Sequence, residues 1–324
     1  MRKILPPQLF QRSERSHLHF SNVPNVGKVS SKILFIVNPV SGIGLQKGVE
    51  KLIANKLNNN MFDFSIEYTK APKHAAELSC SAAKNNFDIV VAVGGDGSVN
   101  EVASGIVGTK TALAILPTGS GNGFARHLKI PANLDEAMDV INACHATMVD
   151  TARLNERTFV NIAGVGLDAH IGWKFAQHSR RGFWTYCKVV LREYPKYKIE
   201  NYSIAIDGKE ITRDALLISF ANGSQYGNNA YIAPSADVQD GMLEVCILKN
   251  GPLYALPGLA YRLFNGTIDR SHRMETFKGK DIVVKQNKCT AHIDGEPIES
   301  GSEIHIKVNP LSLKVIVPSL NHKS

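Results

Sequence analysis

The amino-acid sequence predicts an α/β domain, its parallel sheet flanked by helices, followed by an all-β sandwich. Three observations predict it. Between residues 31 and 148, short apolar runs alternate with stretches of helical spacing, as strands joined by right-handed helical crossovers do. From 149 to 317, short alternating runs are separated by Gly, Asn and Asp turns, the signature of a sandwich. The chain's 324 residues, 44% of them hydrophobic, suffice for two cores.

Residues 1–30 precede that pattern. Residues 1–32 hold six basic residues and one acid, Glu14, with no apolar stretch of the kind a secretory signal needs. A disordered basic extension is expected. Ile33–Val37 is then a buried strand, Leu45–Leu57 a helix with apolar residues at Leu45, Val49, Leu52, Ile53 and Leu57, and Phe64–Tyr68 a strand. Lys73–Lys84 reads as a helix, Ile89–Val93 as a strand, Ser98–Ile106 as a helix, Ala112–Leu116 as a strand and Leu134–Ala143 as a helix. The sandwich strands are expected at Thr158–Ile162, Tyr202–Ile206, Ala215–Phe220, Leu243–Leu248, Asp281–Lys285, Thr290–Ile293, Glu303–Lys307 and Leu313–Val317. Helical stretches interrupt them near 171–192 and 252–264.

No apolar run approaches the ~18 residues of a membrane-spanning helix. The five cysteines are scattered, with no C-x-x-C spacing, as in ordinary thiols of a reducing, cytoplasmic compartment. The net charge is +8, of which residues 1–32 carry +5 and Trp173–Lys198 +6, leaving −3 elsewhere. Basic character is therefore local.

Three Gly-rich polar loops follow predicted strands: Asn38-Pro39-Val40-Ser41-Gly42, Gly94-Gly95-Asp96-Gly97-Ser98-Val99-Asn100-Glu101, and Pro117-Thr118-Gly119-Ser120-Gly121-Asn122. In open α/β sheets, ligands bind beyond the carboxyl ends of the strands. Glycine lets backbone N–H groups close around phosphate oxygens, and a helix starting after the loop adds free donors. Hydroxyls at Ser41, Ser98, Thr118 and Ser120 supply more. Asp96 is the acid within the glycine turns and the natural residue for Mg²⁺. Three such loops point to a nucleotide triphosphate, although neither the Walker A nor the dinucleotide fingerprint is present.

These motifs resemble the diacylglycerol kinase catalytic-domain family, which includes soluble bacterial lipid kinases, sphingosine kinases and ceramide kinases. The resemblance runs from about Ile33 to Val317. It implies ATP bound between an α/β nucleotide-binding domain (31–148) and a lipid-binding sandwich (149–317). It also implies Asn38, Pro39 and Thr69 beside the nucleotide, Gly94 to Glu101, Thr118, Gly119, Ser120 and Asn122 around the phosphates, and Asp96 in a water–Mg²⁺ network. In the second domain, Asp237, Asp240 and the carbonyl of Met242 align with a structural metal loop of some bacterial members. Asp294-Gly295-Glu296 matches the motif that supplies the general base. From the residues themselves, Asp240-Gly241 and Asp294-Gly295 are good turn dipeptides, and either Asp294 or Glu296 is able to serve as base. One departure stands out: Gly123 follows Asn122 where many bacterial members carry an acid.

Trp173–Lys198 interleaves two tryptophans and five other aromatics with seven cations. Such a mixture suits a transient encounter with a membrane surface or, equally, a packed helix with solvated charges; nucleic acid is not expected. The expected function is a Mg²⁺- and ATP-dependent lipid kinase, cytoplasmic or peripheral at a membrane, acting on diacylglycerol or a related lipid, a sphingoid base included, with a homodimer left open. The alternatives are a NAD kinase-like phosphotransferase and a non-catalytic nucleotide- or lipid-binding regulator.

Overall fold

The computed structural model describes residues 30–40, 46–176 and 183–319. The basic extension, residues 1–29, and Ser41 lie outside the described residues. The first half runs β1 (Ser31–Val37), α1 (Gln46–Lys56), β2 (Phe62–Tyr68), α2 (His74–Lys84), β3 (Ile89–Gly94), α3 (Asp96–Ile106), β4 (Ala112–Pro117), α4 (Gly123–His127) and α5 (Leu134–Ala143). β1, β3 and β4 are apolar runs buried on both faces, and they pair in parallel with β2 in the order β2-β1-β3-β4. Local chemistry starts the helices where they start. The Asn133 side chain, for example, accepts the N–H groups of Asp135 and Glu136 at the head of α5.

The second half holds β5 (Ala146–Leu154), β6 (Arg157–Phe159), β7 (Ile162–Gly166), α6 (Leu167–Ala176), α7 (Phe183–Glu193), β8 (Glu200–Ile206), β9 (Lys209–Ala215), β10 (Leu217–Ala221) and β11 (Leu243–Leu248). After these come α8 (Leu256–Phe264), β12 (Met274–Gly279), β13 (Asp281–Lys285), β14 (Thr290–Ile293), β15 (Glu296–Glu299) and β16 (Glu303–Ile316). A six-stranded sheet, β12-β11-β10-β7-β14-β15, packs on a second sheet built from β5, β8, β9, β13 and β16. Alternation fixes the faces. Ile218 and Phe220 of β10 point into the core between the sheets, whereas Leu217 and Ala221 point outward. That outer face is also apolar, and side chains of α6, α7 and α8 cover it. The six-stranded sheet is thus buried on both sides.

Three differences from the expected elements have physical causes. Thr158–Ile162 is not one strand. It breaks at Val160 and Asn161, whose N–H groups leave the ladder for the Asp294 carboxylate. Glu303–Lys307 and Leu313–Val317 are ends of one long strand, β16, whose register shifts between Asn309 and Leu313, where Leu311 has a φ of 44°. The third concerns the boundary at 148, which falls inside β5. Val149 belongs to the first half's core and Ala152 to the sandwich core, while β16 pairs with β5 along both.

Candidate active site

Parallel pairing brings the carboxyl ends of β1, β3 and β4 side by side, and the three polar loops meet there. Asn38 donates from Nδ2 to Ser98 Oγ at 3.1 Å, and Thr118 N–H donates to Gly94 O at 3.0 Å. Thr69 N–H reaches Val37 O at 3.0 Å, which sets the end of β2 beside Asn38. Loops two and three touch through glycine: a Cβ on Gly119 would lie 2.5 Å from Gly95 Cα. Asn122, in the left-handed region (φ 53°), donates from Nδ2 to Gly119 O at 2.8 Å and holds the third loop closed. Pro39 and Ser120 remain exposed, whereas Ser98 and Thr118 are buried.

Asp96 opens α3. Its Oδ1 accepts the Phe124 N–H at 3.4 Å. Burial, and next the negative charge of Asp294, push its carboxyl up to about 6 against the pull of backbone N–H groups from 122–124. Among the described residues no group of three or more His, Cys, Asp or Glu could hold a metal. A carboxylate in this setting fits Mg²⁺ of the kind completed by phosphate oxygens, because a divalent cation would relieve both burial and repulsion.

The second half reaches this site through one hairpin. Asp294 (φ 47°) and Gly295 (φ 85°) form the two-residue turn between β14 and β15, a geometry with left-handed backbone at both positions. The turn points its two acids differently. Asp294 is buried, its Oδ1 accepting Asn161 N–H (3.0 Å) and Ile162 N–H (2.9 Å), its Oδ2 accepting Val160 N–H (3.0 Å) and Asn100 Nδ2 (2.8 Å). Burial still holds its carboxyl above the usual range. Glu296 is exposed and reaches over the start of α3, its Oε1 2.6 Å from where a Cβ on Gly97 would stand.

Several expected residues do other work. Glu101 does not face the phosphate loops: its two oxygens accept Lys73 N–H (2.9 Å) and Ala75 N–H (3.1 Å) at the head of α2. Asn100 spends its amide on Asp294 and on Thr158 O (3.0 Å), locking the two halves together. Gly123 has a steric reason. A Cβ there would lie 2.6 Å from Asn161 Nδ2 and 2.8 Å from Gln225 O, so no acid fits at that position.

The metal loop is likewise corrected. Asp240 Oδ1 accepts Met242 N–H (2.9 Å), and its Oδ2 accepts Lys278 Nζ at 2.7 Å. Asp237 Oδ1 accepts Gln239 N–H (3.0 Å), and Lys278 also lies 3.9 Å from Glu244. These residues do not fit a divalent ion, because an ammonium group already supplies the positive charge. The same loop is tied inward by Gly241 N–H to Asp150 Oδ2 at 2.7 Å.

One constellation escaped the sequence reading. On the outer face of the six-stranded sheet, buried Asp168 takes three side-chain partners at Oδ2: His292 Nε2 (3.0 Å), Tyr226 OH (3.2 Å) and Ser219 Oγ (3.4 Å). His292 Nδ1 is buried without a hydrogen-bond partner. His292 lies two residues before the Asp294 turn, so this cluster sits at the root of the hairpin that carries Glu296. The available signal was the polar pair Ser219 and His292 inside otherwise apolar strands, at outward positions of the alternation.

The diacylglycerol kinase catalytic domain matches residues 32–154, and the YegS C-terminal NAD kinase β-sandwich-like domain matches 161–317. The chain belongs to the diacylglycerol kinase family of lipid kinases. A probable YegS-like lipid kinase of Yersinia enterocolitica is 30% identical over 244 residues, 73% of this chain and 81% of that protein. A diacylglycerol kinase of Staphylococcus saprophyticus is 27% identical over 81% of this chain and 87% of its own. A crystal structure of a diacylglycerol kinase from Bacillus anthracis covers 90% of this chain and 99% of its own, with a TM-score of 0.71 at 25% identity. A yeast NADH kinase shares the fold, with a TM-score of 0.50 at 13% identity. Kinase chemistry with ATP as phosphoryl donor comes with the family. Among the described residues no helix is long and apolar enough to cross a membrane.

Proposed function

We propose that this protein transfers the γ-phosphate of ATP to the hydroxyl of a neutral glycerolipid, diacylglycerol or a close relative, with Mg²⁺. The observation that carries this reading is Glu296, a carboxylate from the sandwich held over the N-terminus of α3, where the triphosphate would lie. The second and third loops would hold phosphate through backbone N–H groups. Asp96 would hold Mg²⁺, which when bound would supply neutralisation of phosphate charge.

Glu296, rather than Asp294, acts as base. Asp294 already accepts four hydrogen bonds, three from the turn at 160–162 and one from Asn100, and protonating it would disrupt that set. As the lipid oxygen attacks the γ-phosphorus, its proton passes to Glu296, the bond to the β,γ-bridging oxygen breaks, and ADP leaves.

The test is a radiolabelled-ATP assay over diacylglycerol, monoacylglycerol, sphingoid base, ceramide and phosphatidylglycerol, with NAD as control. Label is expected in a glycerolipid. Label in NAD alone would overturn the lipid reading, and tight ATP binding without transfer would make the chain a regulator.

A further inference from the structure

Among the described side chains of Trp173–Lys198, the aromatics are buried or half-buried. Tyr194 is buried, its hydroxyl donating to Gly251 O at 2.7 Å. Tyr197 is half-buried beside the His170 ring, with the Lys288 ammonium 3.6 Å from its centroid. Trp173 is half-buried as well, and the side chains of Phe183, Trp184 and Tyr186 lie outside the described residues.

Exposed aromatics stand instead on the neighbouring turn and helix, residues 253–264. Leu256, Leu259 and Leu263 pack inward on the sheet. Their outward counterparts should be polar in a helix that faces water. They are not. Tyr254 is 84% exposed, Tyr261 70% and Leu253 56%, and Phe264 joins them. The one charged residue from 253 to 264 is Arg262, half-buried and donating to Thr267 O. A surface helix apolar on both faces needs a second apolar surface against it.

The rim tells which surface. The Tyr194–Gly251 bond sets the end of α7 against the start of this turn, bringing exposed Lys188, Leu191, Arg192 and Lys196 to its edge. At the same end of the turn Arg273 donates to Asn250 O at 2.7 Å, and Arg270 is exposed. Across 188–198 and 250–273 the acids are Glu193 and Asp269, against seven Lys and Arg. An apolar face carrying two tyrosines inside a cationic rim matches the depth profile of an anionic bilayer: acyl chains, then an interfacial band, then headgroup phosphates.

We infer that residues 253–264 form the element that docks this protein on anionic lipid surfaces, with Tyr254 and Tyr261 inserted at headgroup depth. The inference rests on the lipid-acceptor reading for its purpose but not for its test. The test is co-sedimentation of the full chain, without nucleotide, with phosphatidylcholine vesicles containing or lacking phosphatidylglycerol. The parent protein should bind the anionic vesicles, and salt should weaken that binding. The double variant Tyr254→Ser, Tyr261→Ser should bind about tenfold more weakly, and Lys188→Gln, Lys196→Gln should lose the preference for anionic lipid. Transfer to a short-chain acceptor dispersed as monomers should be unchanged in the tyrosine variant, which keeps docking separate from catalysis. Unchanged vesicle binding by the tyrosine variant overturns the docking surface whatever the kinase activity. Sedimentation velocity supplies the competing outcome: a parent dimer that the tyrosine substitutions dissociate, with vesicle binding intact, would assign the face to a second copy of this chain.

Discussion

Two parts of this chain present acids around Asp-Gly turns, and they are neutralised in opposite ways. At 294–296 the turn joins Asp96 across the two halves, and what opposes the push that burial and Asp294 exert on Asp96 is a set of backbone N–H groups from 122–124. At 237–244 the chain brings its own cation, Lys278, onto Asp240. The difference shows what an acid cluster is for. Acids left under strain at the mouth of phosphate loops await charge from outside, whereas acids closed by a lysine serve the fold.

Four substitutions break or sharpen this contrast. Glu296→Gln should have the largest effect, slowing phosphoryl transfer roughly 10²–10⁴-fold while ATP binding holds; a kcat within a few-fold of the parent would return the base to Asp294. Next, Gly123→Asp adds an acid to the catalytic cluster, yet it should destabilise the protein by about 1–3 kcal/mol, because its Cβ meets Asn161 and Gln225. Unfolding in urea with and without Mg²⁺ checks this, and full stability would mean the 225–226 segment yields.

Asp96→Asn tests the strain itself. The carboxyl titrates near 3.8 in an unfolded chain and at about 6 in the fold, so the native state binds the proton more tightly. Stability conferred by Asp96 is therefore fullest below pH 4, falls as pH rises to about 6, and stays lowered above it. In EDTA and without nucleotide, the Asn variant should gain about 1–3 kcal/mol over the parent at pH 8 and nothing at pH 4. An equal gain at both would show that Asp96 ionises unhindered. Lys278→Gln should have the smallest effect, lowering Tm by about 1–3 °C as an exposed ion pair does. Mg²⁺ should restore part of that loss in the variant, and with Asp96→Asn in place EDTA should leave the Tm unchanged. An Asp96→Asn protein that still melts lower in EDTA would restore the metal loop.

The first half was the more legible because its signals are local. A buried parallel strand such as Ile89–Val93 followed by Gly94-Gly95-Asp96-Gly97 states both the element and its loop within a few residues. The roles of Asp294 and Glu296 were not separable in sequence, since what distinguishes them is who donates to each, and the donors, Asn100 and Val160–Ile162, come from far along the chain. Glu101 misled for the same reason: its neighbour in sequence is a phosphate loop, but its neighbour in space is the head of α2. Lys278 offered no local signal toward Asp240, from which 38 residues separate it.

The strand β16 carries a consequence for how the protein is made. Its amino-terminal part completes the sandwich through β13 and its carboxyl-terminal part closes the edge of β4 through Val315 and Leu113. During synthesis the nucleotide half therefore emerges with an unpaired β4 edge and must wait for residues 303–316 before its sheet is capped. Neither half is finished before the other, so a newly made chain brings its Gly-rich loops and the 294–296 turn together only as β16 closes.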